Sequence, residues 1–535
     1  MRDKSLIDLD KTVAIYMDRS EELVDLIYKC YINRITYIPV DVSWPISRVY
    51  QVLEDSKAKK IITSEKYTDL FPKMVCLIAE KTDLDKELFY TQQDNEVSYV
   101  LYTSGSTGTP KGVAVKYKSL INLIKGISEV IPFSSNDTIA CLTSVSFDIF
   151  FVESVMAKVL GLKIVVANNE EQKNPKYMAR MISENNVTVL QMTPSRLQLL
   201  ASYDSELLCL DKVKSIMVGG EAFPLGLLKT LQNKTKAKIY NMYGPTETTV
   251  WSAISELTNK DKIDIGYPIR NTKIYIVDEN DKVAKVGQIG EICIAGIGLA
   301  KGYIGRPELT REKFTVIPSV GKSKVYRTGD YGRYLESGEL ECLGRIDNQI
   351  KINGYRVELE EIEAFVNGFD GISQSMATLN ESQNRKELVV YYIGKSNIDS
   401  KVISYLENKI PSYMIPAHFY RVDQFNYTLN GKIDRKNIPI VIYKDDMVEE
   451  DTILLDYEKQ KIMDAIFHII KKDDLKSISY NMNLSDIGCD SIVYLGLIAQ
   501  LEEEFDIIFD EKAMHYTTFQ KVGDLVDYCY SLIEQ

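Results

Sequence analysis

Histidine is almost missing: His418, His468 and His515 are the only three in 535 residues, too few for a His-based triad or a histidine-rich metal site. The eight cysteines (Cys30, Cys76, Cys141, Cys209, Cys293, Cys342, Cys489 and Cys529) form no CxxC pair and have no neighbouring histidine. Neither a zinc site nor a disulfide framework is expected. Positive charge is in deficit, with 64 Lys and Arg against 76 Asp and Glu and a net charge of -12. That is the wrong sign for a general nucleic-acid binder, although a small anion can still bind locally. No run of about eighteen uncharged apolar residues occurs. The start, Met1-Arg2-Asp3-Lys4, opens no apolar signal core, so the chain is read as cytoplasmic.

What is present is an ordinary globular composition, 45% hydrophobic and 26% charged, in a chain too long for one core, so two or three domains are expected. Over the first 345 or so residues short β-branched runs alternate with helical periods. Residues 163–167 (KIVVA), 187–191 (VTVLQ) and 213–218 (VKSIMV) look like buried strands, with a helix over 175–184. This predicts an α/β fold with largely parallel sheets over 1–346 and a smaller α+β unit over 347–440. A charged stretch without apolar period (YKDDMVEED) marks a linker over 441–452. Residues 453–535 then show helical spacing, in Ile462, Ile466, Ile469 and Ile470 and again after Ser491, which predicts a small helical bundle.

The strongest local signal is YTSGSTGTPKG at 102–112, directly after the strand-like 96–101. Gly105, Gly108 and Gly112 permit close backbone approach; Thr103, Ser104, Ser106 and Thr107 offer hydroxyls, and Lys111 a positive charge. The loop suits a polyphosphate. It is not a Walker A loop, because Pro110 precedes the lysine and Val follows Gly112.

This loop resembles the phosphate-binding signature of the adenylate-forming enzymes. With it, in the family's order, come Phe147-Asp148, NMYGPTE at 241–247, GEICIAGIGLAKGYIGRPELTREKF at 290–314, YRTGD at 326–330, GRIDNQIKINGYRVELEEIE at 344–363, PSYMIP at 411–416 and NGKIDR at 430–435. The chain is similar to the adenylation domain plus carrier domain of a nonribosomal peptide synthetase. The resemblance implies a large α/β adenylate-forming domain, a small mobile α+β subdomain and a four-helix-bundle carrier, with ATP, Mg2+ and 4'-phosphopantetheine as cofactors.

The resemblance also implies site residues. The 102–112 loop and the 220–222 stretch (Gly220, Glu221, Ala222) would bind ATP. Tyr243 would stack on adenine with Asn241 near its amino edge, beside Gly244 and Thr246, and Glu247 would hold Mg2+. Asp330, helped by Arg345, would take the ribose hydroxyls. Lys432 would stabilise the negative charge that spreads when a carboxylate attacks the α-phosphate. Asp347 is the expected hinge, Lys351 belongs to the face used in thioester formation, and rotation about the hinge would let one site perform two steps in sequence. Ser491, in DIGCDSI at the start of a helix, is the expected phosphopantetheine attachment point.

For the substrate, Asp148 stands where amino-acid-activating members keep a carboxylate for the α-ammonium. The side-chain pocket is expected to be lined by Ile149, Val152, Gln191, Met217, Gly219, Met242, Val250 and Trp251. None is charged, so the substrate is expected to be a neutral amino acid of small or medium size. If Gln191 faces the pocket, threonine, cysteine or glutamine would suit it; if it points away, the pocket is purely aliphatic.

The sequence departs from the family pattern in places. Arg34 and Ile35 occupy usual glycine positions, Asn353 stands where arginine is usual, and Cys489 replaces a glycine and would add a side chain beside Ser491. The opening elements of the large domain are not found, so the chain reads as N-terminally incomplete, which would expose apolar surface. The leading expectation is an amino-acid-adenylating ligase that loads its own carrier. The alternatives are an impaired fragment that works only as a carrier or interaction module, and an acyl-CoA ligase. Implied partners are a phosphopantetheinyl transferase and condensation, release or tailoring enzymes acting in trans, with neither nucleic acid nor membrane.

Overall fold

The computed structural model describes residues 12–79, 96–105, 109–346, 349–352, 355–382, 385–395, 398–422, 424–425, 433, 435, 457–470, 478–484, 487, 489, 491–505, 507–510, 513–514 and 518–533. Two seven-stranded sheets form the large α/β part. The first runs Gly302–Tyr303, Lys111–Lys116, Val97–Thr103, Thr36–Pro39, Thr12–Tyr16, Lys60–Thr63, Val75–Ile78. The second runs Tyr267–Pro268, Ala253–Glu256, Lys238–Tyr243, Ser215–Gly219, Val189–Met192, Thr138–Cys141, Lys163–Val166. Thr12–Tyr16, Val189–Met192 and Ser215–Gly219 are buried at every position, as strands covered on both faces are. The strands expected near 163, 187 and 213 are present, the last two starting two residues later and ending one residue later than expected, and the first, read as buried, is an edge strand exposed or half-buried along its length.

The helix expected over 175–184 is Pro175–Glu184. Asn174 caps it, its side chain accepting from the Lys176 N–H, and Pro175 fills the first turn, where a missing N–H costs nothing. A π-helical turn, Val152–Met156, interrupts the helix that follows Asp148. Buried Glu153 ties that turn to the adjoining loop by accepting from the Leu142 and Thr143 amides, both at 2.8 Å, and from the Thr143 hydroxyl at 2.6 Å. Arg34 takes φ +54, the left-handed conformation that glycine favours, while Ile35 is buried.

A five-stranded antiparallel sheet (Thr272–Val277, Gly290–Gly296, Lys324–Tyr334, Phe314–Val316, with Leu340–Arg345 on Lys324–Tyr334) follows. Beyond it come a hairpin of Gln349–Ile352 and Tyr355–Glu358, the helix Leu359–Asn367, and a three-stranded sheet with its own core around Val357, Ile362, Val390 and Leu406. The C-terminal part shows three helices among the described residues, Tyr457–Ile470, Ser491–Phe505 and Val522–Ile533, around a separate apolar cluster. The stretch between the last two lies partly outside the described residues. Cys489 is fully buried in that cluster. The thiol is a small core group of that cluster. Among the described residues no helix is long and apolar enough to cross a membrane.

Candidate active site

The carboxyl ends of the parallel strands in both sheets open onto one cavity, the usual place for ligands in α/β sheets. Its walls include Thr103 and Ser104 after one strand, Gly220 after another, Tyr243 to Thr246 after a third, and Asp148, Ile149 and Trp251 between them. Asp330 and Arg345 form a further side, and the hairpin supplies Gln349, Lys351, Tyr355 and Arg356.

Asp148 is buried, and burial lifts its pKa to about 6 against the opposing effects of a Thr246 hydrogen bond and the Lys351 charge. Tyr243 donates to Asp330 Oδ2 at 2.6 Å, and Arg345 Nη1 contacts Asp330 Oδ1 at 3.1 Å, so both carboxylate oxygens are held in place. Glu247 is fully buried. Desolvation pushes its pKa up, but Arg356 and Lys111 overcome that and hold it down at about 2. One of its oxygens, Oε1, accepts from Arg356 Nη1 at 2.8 Å and from the Tyr303 hydroxyl at 2.7 Å. The other, Oε2, is buried without a hydrogen-bond partner among the described residues. An orphaned carboxylate oxygen on the residue that follows cavity-lining Thr246 fits a hard cation that takes its remaining ligands from phosphate and water.

The 102–112 loop is engaged by the hairpin and the helix Leu359–Asn367 that follows it. Ser104 Oγ donates to the Arg356 carbonyl at 2.6 Å, the Gly105 N–H donates to Glu361 Oε2 at 3.1 Å, and Lys111 Nζ lies 3.3 Å from Glu358 Oε1. Glu361 is also bonded by buried Arg48 at 2.6 Å. Tyr355 packs its ring edge to face on Phe147, centroids 4.8 Å apart, and stacks on Tyr413 at 3.7 Å. Burial and the Arg356 charge pull the Lys111 ammonium down to about 8.

Several expected residues stand elsewhere. Asn241 Nδ2 donates to the Asp264 carbonyl at 2.8 Å, and Glu221 Oε2 accepts from the N–H and hydroxyl of Ser195 in the first turn of the earlier helix Pro194–Tyr203. Neither Asn241, Glu221 nor Ala222 lines the cavity. Among the expected pocket residues, Ile149 and Trp251 reach the cavity wall, whereas Val152, Gln191, Met217, Gly219, Met242 and Val250 do not. Ser106, Thr107, Gly108, Asp347, Asn353 and Lys432 lie outside the described residues, and Ser491 begins a described helix. Arg356, Glu358 and Glu361 were not singled out from the sequence, although all three lie in the GRIDNQIKINGYRVELEEIE stretch quoted above. Their alternation of charge with apolar residues was the available signal.

Comparison with known proteins agrees with this geometry. The AMP-binding enzyme family matches residues 7–304. The chain belongs to the AMP-binding enzyme family. A phosphopantetheine attachment site matches residues 460–529. A dimodular nonribosomal peptide synthase of Bacillus subtilis (strain 168) is 37% identical over 446 residues, covering 80% of this chain and 19% of that protein. Tyrocidine synthase 1 of Brevibacillus parabrevis is 31% identical over 97% of this chain and 48% of its own length. The chain thus spans about half or less of these relatives. Among solved structures, a four-domain nonribosomal peptide synthetase bound to AMP and glycine is 28% identical with a TM-score of 0.60, covering 98% of this chain and 39% of that one. An AMP-binding enzyme of this kind uses ATP, and the C-terminal unit is a carrier for phosphopantetheine.

Proposed function

We propose that this chain activates an α-amino acid with ATP and Mg2+ to aminoacyl-AMP and pyrophosphate and passes the aminoacyl group to the phosphopantetheine thiol on Ser491, with AMP as the leaving group. The observation that carries this reading is the convergence of Asp148, Tyr243, Asp330 and Lys351, from four separate stretches, on one cavity. Asp148 would pair with the substrate ammonium, Tyr243 would face the base, and Asp330 with Arg345 would hold the ribose. The 103–111 loop would take the phosphates, and Glu247 with its free Oε2 the metal. In the first step a substrate carboxylate oxygen attacks the α-phosphorus and pyrophosphate leaves. Lys432 is assigned to neutralise the charge that spreads over the transferred oxygens. Asp347 is assigned as the hinge. In the described pose Glu358 and Glu361 occupy donors of the phosphate loop, so this arrangement belongs to the second step, after pyrophosphate has gone. Ser491, at a helix N-terminus, suits a phosphodiester. The carrier supplies a thiol nucleophile when modified by a phosphopantetheinyl transferase, and condensation, release or tailoring enzymes would act on the loaded product. The fused carrier and Asp148 disfavour an acyl-CoA ligase, and the assembled cavity disfavours a carrier-only fragment. Eight cysteines without a disulfide favour the cytoplasm.

Within this reading the substrate is glycine. Trp251 lies on Gly219 so closely that a Cβ there would fall 2.5 Å from the indole Cη2. The ring is set by a turn in which Thr249 and Val250 both take left-handed φ, +69 and +59. Such strain in β-branched residues, on the order of 1–3 kcal/mol each, persists where surrounding structure demands it. Gln191 and Met217 sit side by side on paired strands behind this wall, buried. With the indole seated on Gly219 the cavity wall is closed there, which favours a substrate without a side chain over threonine, cysteine or glutamine. The solved relative that holds AMP and glycine supports the same choice. Amino-acid-dependent exchange of labelled pyrophosphate into ATP, run over a panel of neutral amino acids, is the test. Exchange with glycine far above the rest is expected, and preference for a branched or amide side chain would refute the assignment.

A further inference from the structure

The helix Ser491–Phe505 of the carrier lies against two helices of the large part, Pro175–Glu184 and Pro194–Tyr203. Three contacts define the face. Gly496 meets Ser202, where a Cβ added to the glycine would come 3.0 Å from the serine hydroxyl, so the absence of a side chain lets the helices approach. Glu502, 4% exposed, accepts from Asn174 Nδ2 at 2.9 Å through Oε2 and from its own Phe509 N–H at 2.9 Å through Oε1. Glu503 accepts from the Tyr203 hydroxyl at 3.0 Å.

The central contact has a fixed polarity. Asn174 is fully buried, and its Oδ1 accepts from the Lys176 N–H at 2.9 Å to cap its helix. Its Nδ2 is therefore the group turned to the carrier. Both oxygens of Glu502 are likewise committed, one inside the carrier and one across the contact. A buried donor facing a buried acceptor, with both remaining atoms used locally, discriminates strongly against a mismatched partner, because a donor left facing a donor loses its full solvation. Burial raises the pKa of Glu502, which marks how far it has been withdrawn from water.

We propose that Asn174, Ser202 and Tyr203 form a recognition face that selects the cognate carrier for loading, admitting one with glycine and two consecutive carboxylates at the register of Gly496, Glu502 and Glu503. This rests on the reading that Ser491 carries the acceptor thiol. Asn174, Ser202 and Tyr203 do not line the cavity, so altering them is expected to leave adenylation intact.

The test is an isosteric swap in the full, phosphopantetheine-modified chain. Asn174→Asp keeps the helix cap but sets a carboxylate against Glu502; Glu502→Gln keeps one acceptor for Phe509 but sets an amide donor against Asn174. Each single variant is expected to slow single-turnover loading of the arm by about tenfold or more. Each should also raise hydrogen exchange of the 194–203 amides. The double variant Asn174→Asp/Glu502→Gln exchanges donor and acceptor without changing shape and is expected to recover both rate and protection. Pyrophosphate exchange should be unmoved in all three. Single variants that load and stay protected like the parent, or a double variant no better than the singles, would overturn the proposal. If the parent chain exchanges pyrophosphate with no amino acid, the functional reading falls, while recovery or loss of protection still decides the dock.

Discussion

Arg356 Nη1 lies 2.8 Å from Glu247 Oε1, and the two residues come from different subdomains, the first on the hairpin and the second after the Lys238–Tyr243 strand of the large sheet. Both are withdrawn from water, so the pair is charge-compensated in a medium where an unpaired carboxylate would be costly. With Glu247 read as the metal ligand, the hairpin guanidinium and a bound divalent cation offer the same carboxylate alternative counter-charges. Glu358 and Glu361 do the reverse at Lys111 and the Gly105 N–H, placing carboxylate where phosphate would otherwise bind. On that reading, metal and polyphosphate would compete with the hairpin for Glu247, Lys111 and the Gly105 N–H.

Arg356→Ala should separate the two steps. It removes the cation that does most to hold Glu247 ionised in the hairpin-in pose, leaving Lys111 and the Tyr303 hydroxyl, a penalty of about 3 kcal/mol, which is on the order of a hundredfold in the population of that pose. Loading of the carrier should fall accordingly, while pyrophosphate exchange stays near the parent rate. Parallel loss of both activities would show that Arg356 serves the first step as well.

Trp251→Ala should enlarge the substrate pocket. Removing the indole from Gly219 exposes Met217 and Gln191 to the cavity, so alanine, valine and threonine should begin to support exchange as glycine weakens. Exchange profiles across the amino-acid panel check this, and an unchanged profile would show that Trp251 does not form the wall.

Asp148 predicts a pH dependence with a definite sign. Its pKa is raised from 3.8 to about 6, chiefly by burial, so below about pH 6 the carboxyl is neutral and cannot pair with the substrate ammonium. The KM for the amino acid should rise about tenfold per unit below that point, with the KM for ATP flat over the same range. The linkage runs the other way for stability. Between 3.8 and about 6 the folded state holds a proton that the unfolded state has lost, so the ionised group costs stability above that window. Asp148→Asn should accordingly raise Tm while abolishing exchange, a trade-off common where a site stores an unfavourable charge.

Much of this was legible in the sequence. The strands at 187 and 213 announce themselves because both faces are buried, the one at 163 by its β-branched residues although it is an edge strand, exposed or half-buried along its length, and the helix over 175–184 because Asn174-Pro175 is a start signal. Asp148, Tyr243, Asp330 and Lys351 were reachable through motif order. What composition and order do not carry is how a side chain spends its hydrogen bonds. Order along the chain does not show that Asn241 Nδ2 donates to the Asp264 carbonyl or that Glu221 Oε2 accepts from the Ser195 N–H. Nor does it show that Gln191 is buried on the strand beside Met217 while Trp251 reaches the cavity wall. The direction of Cys489 is likewise a property of packing.

Glu153→Gln tests the scaffold under the site. The carboxylate accepts three hydrogen bonds, two from backbone amides, and an amide would turn a donor toward one of them. A loss of about 1–3 kcal/mol is expected, read as a lower urea midpoint with an unchanged slope. An unaltered midpoint would mean that the π-helical turn holds itself.

The most direct measurement is mass spectrometry of the intact, phosphopantetheine-modified chain after incubation with ATP, Mg2+ and glycine, followed by mapping of the peptide that contains Ser491. The account predicts a hydroxylamine-labile glycyl adduct on the Ser491 arm that requires ATP and is lost in Asp148→Asn. An unmodified arm with glycine, alongside loading by a larger amino acid or none, would contradict it.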